Sequence, residues 1–190
     1  SGEWRPYEDA ELLEVVTSAL ARTPRWCRLT RIVRDISSHD IVTGNKRTNY
    51  RQIAERELAR RGQRSQDIRA REIRAQGFEL GELLLRDSAY ATSTGREHFL
   101  ELVTGADDLV AFLRLTLPER AGCVLELAGS ALLREVHVYG GSLRLGQRCE
   151  QRAQHRGLGA RLIEEAARLS LQAGYADLAV ISAVGTRSYY

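Results

Sequence analysis

Gln154-His155-Arg156-Gly157-Leu158-Gly159, followed without a break by the amphipathic run Ala160 to Ala173, decides how the second half of this chain reads. Two glycines at that spacing let a backbone approach an anion, and the turn they predict opens a helix whose first N–H groups have no intrahelical partner. Those donors and the helix dipole attract phosphate oxygens. The pattern is Q/R-x-x-G-x-G/A, and no Lys-Ser or Lys-Thr follows it, so the signature of an ATP-binding loop is missing. Upstream, Leu132 to Tyr139 alternates polar with apolar residues as a strand does. Downstream, Gly174-Tyr175 predicts a helix stop and Leu178-Ala179-Val180-Ile181 a short buried parallel strand. Strand, anion loop, helix and strand make a βαβ unit with the glycines where a phosphate would sit. A tight turn without a ligand would leave the same six letters.

Moving outward, Glu79 to Arg86, His98 to Val103 and Leu109 to Thr116 read as strands, the last two joined by the hairpin loop Thr104-Gly105-Ala106-Asp107-Asp108. The segment Gly140 to Ala153 is longer than a usual βα turn and is a candidate cover for the site. Nearer the start, Glu8 to Ala21 carries an apolar face (Leu12, Leu13, Val15, Val16, Ala19, Leu20) and predicts a helix ending before Pro24. Thr48-Asn49 caps a second helix that runs through Arg60 and is stopped by Gly62. Residues 63 to 77 are polar and basic and declare no element.

Composition narrows the function classes. With 43% hydrophobic and 28% charged residues the chain is ordinarily globular. No run approaches the roughly 18 consecutive apolar residues of a membrane span, so a cytoplasmic protein with no membrane partner is expected. The opening Ser-Gly and the lack of any methionine point to a piece of a longer protein. Cys27, Cys123 and Cys149 are far apart, as are His39, His98, His137 and His155, so neither a disulfide framework nor a metal site is indicated.

The net charge of +3 hides an asymmetry: from Arg22 to Arg74 there are fifteen Lys/Arg against six Asp/Glu, and outside it thirteen against nineteen. Arg25, Arg28, Arg31 and Arg34 recur every third residue, close enough to helical spacing to line up guanidinium groups along one side of a helix. Arginine forks match phosphate oxygens, which makes a nucleic-acid backbone the expected partner; a solvated helix face is the alternative.

At Arg31-Ile32-Val33-Arg34-Asp35-Ile36, Asp40 to Arg51, Arg71-Glu72-Ile73, Arg134 to Gly140, Gln154 to Gly159 and Thr186-Arg187-Ser188-Tyr189-Tyr190, the chain resembles the C-terminal portion of the Elongator catalytic-subunit family. That family joins a radical S-adenosylmethionine domain to a GNAT-like acetyltransferase domain. The resemblance implies an α+β, GNAT-like fold with a mixed, strongly twisted sheet and flanking helices at 76–190. A basic helical lead-in at 1–75 would precede it and contact tRNA.

The activity so implied is the acetyl-CoA-dependent part of tRNA wobble-uridine carboxymethylation. S-adenosylmethionine and an iron–sulfur cluster would belong only to an upstream domain, because no C-x-x-x-C-x-x-C is present. Relatives also carry a C-x-x-C pair where this chain has Asp67-Ile68-Arg69-Ala70, which removes the soft ligands a metal there would need. They continue past Tyr190 with a further strand. Elongator-type partner subunits or a homodimer are the other partners implied.

Carried onto this sequence, the coenzyme-binding residues are Gln154, His155, Arg156, Gly157, Leu158 and Gly159. Tyr190, with Tyr189 beside it, fills the position of the acid that protonates the leaving thiolate. Packing is the other use of such a pair. Glu135 and His137 alternate on the strand before the loop, are expected to face the cleft together with Tyr139, and act as a base or orient substrate, with charge pairing to arginine the alternative for Glu135. The tRNA contacts expected are Arg28, Arg31, Arg34, Lys46, Arg47 and Arg51. Cys149 has no paired base and makes a poor nucleophile. Two other functions compete: a stand-alone N-acetyltransferase for protein lysine or a small amine, and a tRNA-binding module with a relic coenzyme site.

Overall fold

The computed structural model describes residues 4–32, 37, 39–47, 49–73, 82–120, 124–139 and 150–190, with the backbone alone at 150–156 and 188. The chain forms two compact units, Ser1–Arg71 and Glu72–Tyr190.

The first unit is built on α1 (Asp9–Arg22) and α2 (Tyr50–Arg60). Asp9 and Glu11 lie in the first turn of α1, where the helix dipole favours negative charge. The Glu11 carboxylate accepts the Glu8 backbone N–H at 3.0 Å and the Arg5 guanidinium at 2.7 Å. Gly62 takes φ +69°, and the chain folds back so that Gly62 and Gln63 donate to the Ala59 and Leu58 carbonyls, closing the end of α2. Val16, Leu20, Tyr50, Ala54 and Leu58 are buried together with Leu12, Leu13, Leu29 and Ile32 against them, so the basic segment carries a core of its own.

The expected helix through Arg25, Arg28 and Arg31 is absent over 25–32, where the chain is a turn followed by irregular backbone; Arg34 lies outside the described residues. Pro24 removes a donor at the start, and the period of three supplies no apolar stripe to bury. The carbonyls of this segment are taken up instead by the 51–71 stretch. Arg25 O accepts from Arg71, Cys27 O from the Ile68 N–H at 2.9 Å, Leu29 O from Arg51 at 2.7 Å and Thr30 O from Arg69. Ile68–Arg71 forms a short helix, α3. Asp67, fully buried, receives Arg51 at 2.6 Å, Ser65 at 2.9 Å and the Arg69 N–H at 3.1 Å.

The second unit is a five-stranded sheet in the order β1 (Leu84–Ala91), β2 (Gly95–Val103), β3 (Leu109–Pro118), β4 (Ser130–Val138) and β5 (Asp177–Val180). The first four run antiparallel and β5 parallel to β4, the crossover being α4 (Glu150–Gln172). The mixed α+β expectation is met. Thr104 to Asp108 makes the hairpin turn, with Asp107 at φ +67°, a conformation aspartate tolerates.

β2 and β3 are central and buried on both faces. One face carries Leu100, Leu102, Leu113, Leu115 and Leu133 and is packed by Leu158, Leu162 and Ala166 of α4, spaced four apart on one helix stripe. The other carries Glu97, Phe99, Phe112 and Arg114, and farther along β4 Glu135 and His137. Among the described residues, no helix is long and apolar enough to cross a membrane.

Candidate functional site

β4 and β5 pair only from Ser130–Asp177 to Leu133–Val180, and the final hydrogen bond between them is the Ile181 N–H donating to the Leu133 carbonyl at 3.0 Å. Beyond that point β4 runs on to Val138 with β3 as its ladder partner, while the chain after β5 turns into a 3-10 segment, Val184–Tyr189. The two parallel strands are therefore paired only along the start of β4, and its far half, from Arg134 on, has no β5 partner. The register on the β3 side jumps from Arg114–Glu135 to Leu115–Leu133, which makes Arg134 an extra, bulged residue just where the pairing with β5 ends. Its guanidinium reaches Glu97 at 2.9 Å.

The six-residue glycine stretch is the main correction to the sequence reading. Gln154 to Gly159 is not a loop before the helix but part of α4, which starts at Glu150. A continuous helix pairs the amides of those residues with carbonyls four positions earlier, so they do not stand open as an anion nest. Gly157 and Gly159 cost about 1 kcal/mol each in a helix interior, and here the docking of Leu158 and Leu162 in the core outweighs that cost. Of the side chains at 154–156 nothing is described.

Gly159 has a different use. A Cβ built on it would overlap the Tyr189 hydroxyl and sit 3.2 Å from Tyr189 Cζ, so the phenol lies against the bare backbone of α4. Burial first, then the neighbouring Tyr190, push the Tyr189 phenol above its ordinary value. Tyr190 meets Tyr189 edge to face, ring centres 5.2 Å apart, and both rings are about half-exposed. Tyr189 is thus the member of the pair that the fold seats on the glycine helix.

Glu135 and His137 sit in a second cluster on β4. The Glu135 carboxylate accepts from Arg114 Nε at 3.0 Å, the charge pairing weighed from the sequence. His137 stacks on Phe112 with ring centres 5.7 Å apart and 17° between planes, and meets Tyr139 at 4.9 Å. Tyr139 is the neighbour that the sequence already sets beside Glu135 and His137, whereas nothing in the sequence marks Arg114 and Phe112 as members of this cluster. Arg114 and Phe112 come from β3, and only the pairing of β3 with β4 joins them to it.

In the first unit Arg28, Arg31, Lys46 and Arg47 are exposed, Arg47 pairing with Asp9 at 3.1 Å. Arg51 is not a surface cation: Glu55, Asp67 and the Leu29 carbonyl surround its guanidinium. No group of three or more His, Cys, Asp or Glu that could hold a metal occurs among the described residues. Among those residues nothing offers an iron–sulfur cluster a set of ligands.

Known proteins resemble this chain in sequence and in fold. Residues 1–60 match the Radical_SAM C-terminal domain family. The whole chain aligns at 38% identity with 42% of the tRNA uridine(34) acetyltransferase of Dehalococcoides mccartyi and at 35% with 36% of mouse Elongator complex protein 3. The solved structure of archaeal Methanocaldococcus infernus Elp3 with an N-terminal deletion matches all of this chain with a TM-score of 0.79 at 30% identity. The chain covers 46% of that structure, so it spans less than half the length of each of these relatives. Along its entire length the chain is homologous to Elongator complex protein 3 and the tRNA uridine(34) acetyltransferases, and it corresponds to their C-terminal portion.

Proposed function

We propose that the chain is the acetyl-CoA-binding, GNAT-like acetyltransferase portion of an Elongator-type enzyme that carboxymethylates the wobble uridine of tRNA. The observation that carries this reading is the end of the β4–β5 pairing at Leu133, in a sheet packed by a glycine-bearing helix and in a chain similar throughout to a tRNA uridine(34) acetyltransferase. Coenzyme A ends in an extended arm with two amides. The β4 edge beyond Leu133, which β5 does not reach, is where such an arm would pair, as an added strand would. Its pyrophosphate would sit against the amides of 154–159 once the first turns of α4 open. The helix around Gly157, whose missing Cβ faces open space, is the least costly place for that opening.

In this reading the acceptor attacks the thioester carbon and Tyr189 or Tyr190 returns a proton to the leaving thiolate. Glu135 and His137 face the acceptor side of β4. Arg28, Arg31, Lys46 and Arg47 of the first unit hold tRNA phosphates, an Elongator-type assembly or a homodimer being the wider setting. The radical step, with S-adenosylmethionine and its cluster, belongs to residues outside this chain.

The test is calorimetric titration of the full chain with acetyl-CoA, followed by thioester cleavage with and without tRNA. Gly157→Ala favours the closed helix by about 1 kcal/mol and should weaken binding about fivefold. Tyr189→Phe and Tyr190→Phe keep both rings, and whichever hydroxyl is the acid should lower cleavage by about 10²-fold. tRNA binding without any acetyl-CoA binding would favour the relic-site reading. Acetylation of lysine peptides without tRNA would favour a stand-alone N-acetyltransferase.

A further inference from the structure

The ring cluster at the open end of β4 has a geometry that core packing alone does not require. Phe99 and Phe112 are fully buried, their centres 5.2 Å apart, with the Arg114 guanidinium over both rings at 5.0 and 5.6 Å. On top of Phe112 lies His137, nearly parallel to it, flanked by Tyr139 whose centre is 6.1 Å from that of Phe112. His137 is exposed, so the outer layer of a buried aromatic stack is a flat imidazole open to solvent. Beside it the Glu135 side chain is 44% exposed and the Arg114 side chain bonded to it 17%.

A ring held this way needs no ordering before a second planar group lies on it, because the buried rings beneath already fix its orientation. A carboxylate and a guanidinium at the rim supply an acceptor and donors. A uracil edge presents one N–H donor between two carbonyl acceptors, which matches that pair. We propose that His137, backed by Phe112 and Tyr139, is a stacking platform for a planar pyrimidine base of the acceptor RNA, with Glu135 and Arg114 reading its edge. This rests on the tRNA reading above and assigns His137 the role of positioning the base. Single-stranded bases are recognised elsewhere by stacking on aromatic and histidine side chains in this manner.

The experiment compares two anticodon stem-loop RNAs, one with uridine and one with 5,6-dihydrouridine at the wobble position, binding to the full chain by fluorescence anisotropy. Dihydrouridine keeps the hydrogen-bonding edge and loses the flat ring. The unaltered chain should prefer the uridine RNA. His137→Ala should bind that RNA about 5- to 100-fold more weakly and lose the preference, while His137→Phe, which keeps a flat ring, should retain it within about threefold.

Equal affinity of the unaltered chain for the two RNAs, or an undiminished preference in His137→Ala, overturns the platform and leaves the tRNA reading standing. Should His137→Ala fail to fold, loss of the preference in a folded His137→Phe overturns it as well. Failure of the unaltered chain to bind either RNA removes the tRNA reading and the platform together. A lysine peptide that loses affinity in His137→Ala while the RNAs do not would assign the ring to a peptide acceptor instead.

Discussion

Replacing Gly159 by alanine sets two effects of known size against each other. In a helix interior alanine is favoured over glycine by about 1 kcal/mol. The new methyl, however, would overlap the Tyr189 hydroxyl and lie 3.2 Å from Cζ, so the phenol must leave its place on α4. Tyr189 is 50% exposed, so it can swing out and surrenders only what it buries. Half of a tyrosine's roughly 200 Å², at about 25 cal/mol per Å², is an upper limit near 2.5 kcal/mol. Gly159→Ala alone should therefore destabilise the second unit by about 1 kcal/mol. In the background of Tyr189→Phe, with the overlapping oxygen gone, the same change should be neutral or stabilising. A double-mutant cycle should give a coupling of about 1–2 kcal/mol. Trp4 and Trp26 both lie in the first unit, so tryptophan fluorescence does not report on the second. Amide hydrogen exchange along α4 and β4 does. Additivity within about 0.3–0.5 kcal/mol would refute the seating of Tyr189 on this glycine.

Three other outcomes are expected. Asp67→Ala leaves Arg51 half-buried beside no carboxylate at 67 and should cost the first unit about 3–5 kcal/mol, read from Trp26 fluorescence in urea; a loss below about 1 kcal/mol would mean that Asp67 does not organise the unit. Alanine at Arg28, Arg31, Lys46 and Arg47 together should weaken tRNA binding and reduce the salt slope by roughly one for each phosphate no longer neutralised, and an unchanged slope would place the RNA elsewhere. Glu57, hydrogen-bonded first by Arg60 and then by Arg61, is held at about 2 against an ordinary 4.5. A carboxyl lowered on folding stabilises above its unfolded value, so this support should fade as pH falls from about 4.5 toward 2; carboxyl NMR showing Glu57 titrating near 4.5 would contradict it.

Much of the second unit was legible because periodicity is local information. The β2–β3 hairpin, β4 and β5 fall within a few residues of their expected ranges. β1 was expected at Glu79 to Arg86 and lies at Leu84–Ala91. Asp87 to Ala91 has little apolar alternation, and it is the ladder to Gly95–Val103 that makes it a strand. The glycine stretch misled because glycine marks both a loop and a close approach. Which one applies at Gly159 depends on Tyr189, thirty residues away in sequence and invisible to any local pattern. The same holds for Asp67: four letters without a cysteine say what cannot bind there, but not that Arg51 and Ser65 converge on the aspartate. The triplet of arginines at 25, 28 and 31 read as a helix because spacing was weighed without asking what the backbone would bury.

That stretch has a bearing on how freely the first unit can change. Arg51, Arg69 and Arg71 grip it by main-chain oxygens, atoms that every residue type supplies alike. Each of these struts is thus indifferent to the side chain carried by the residue whose oxygen it holds. A lineage can rewrite the letter at 30, an exposed position, while the grip on the main chain there stays as it is.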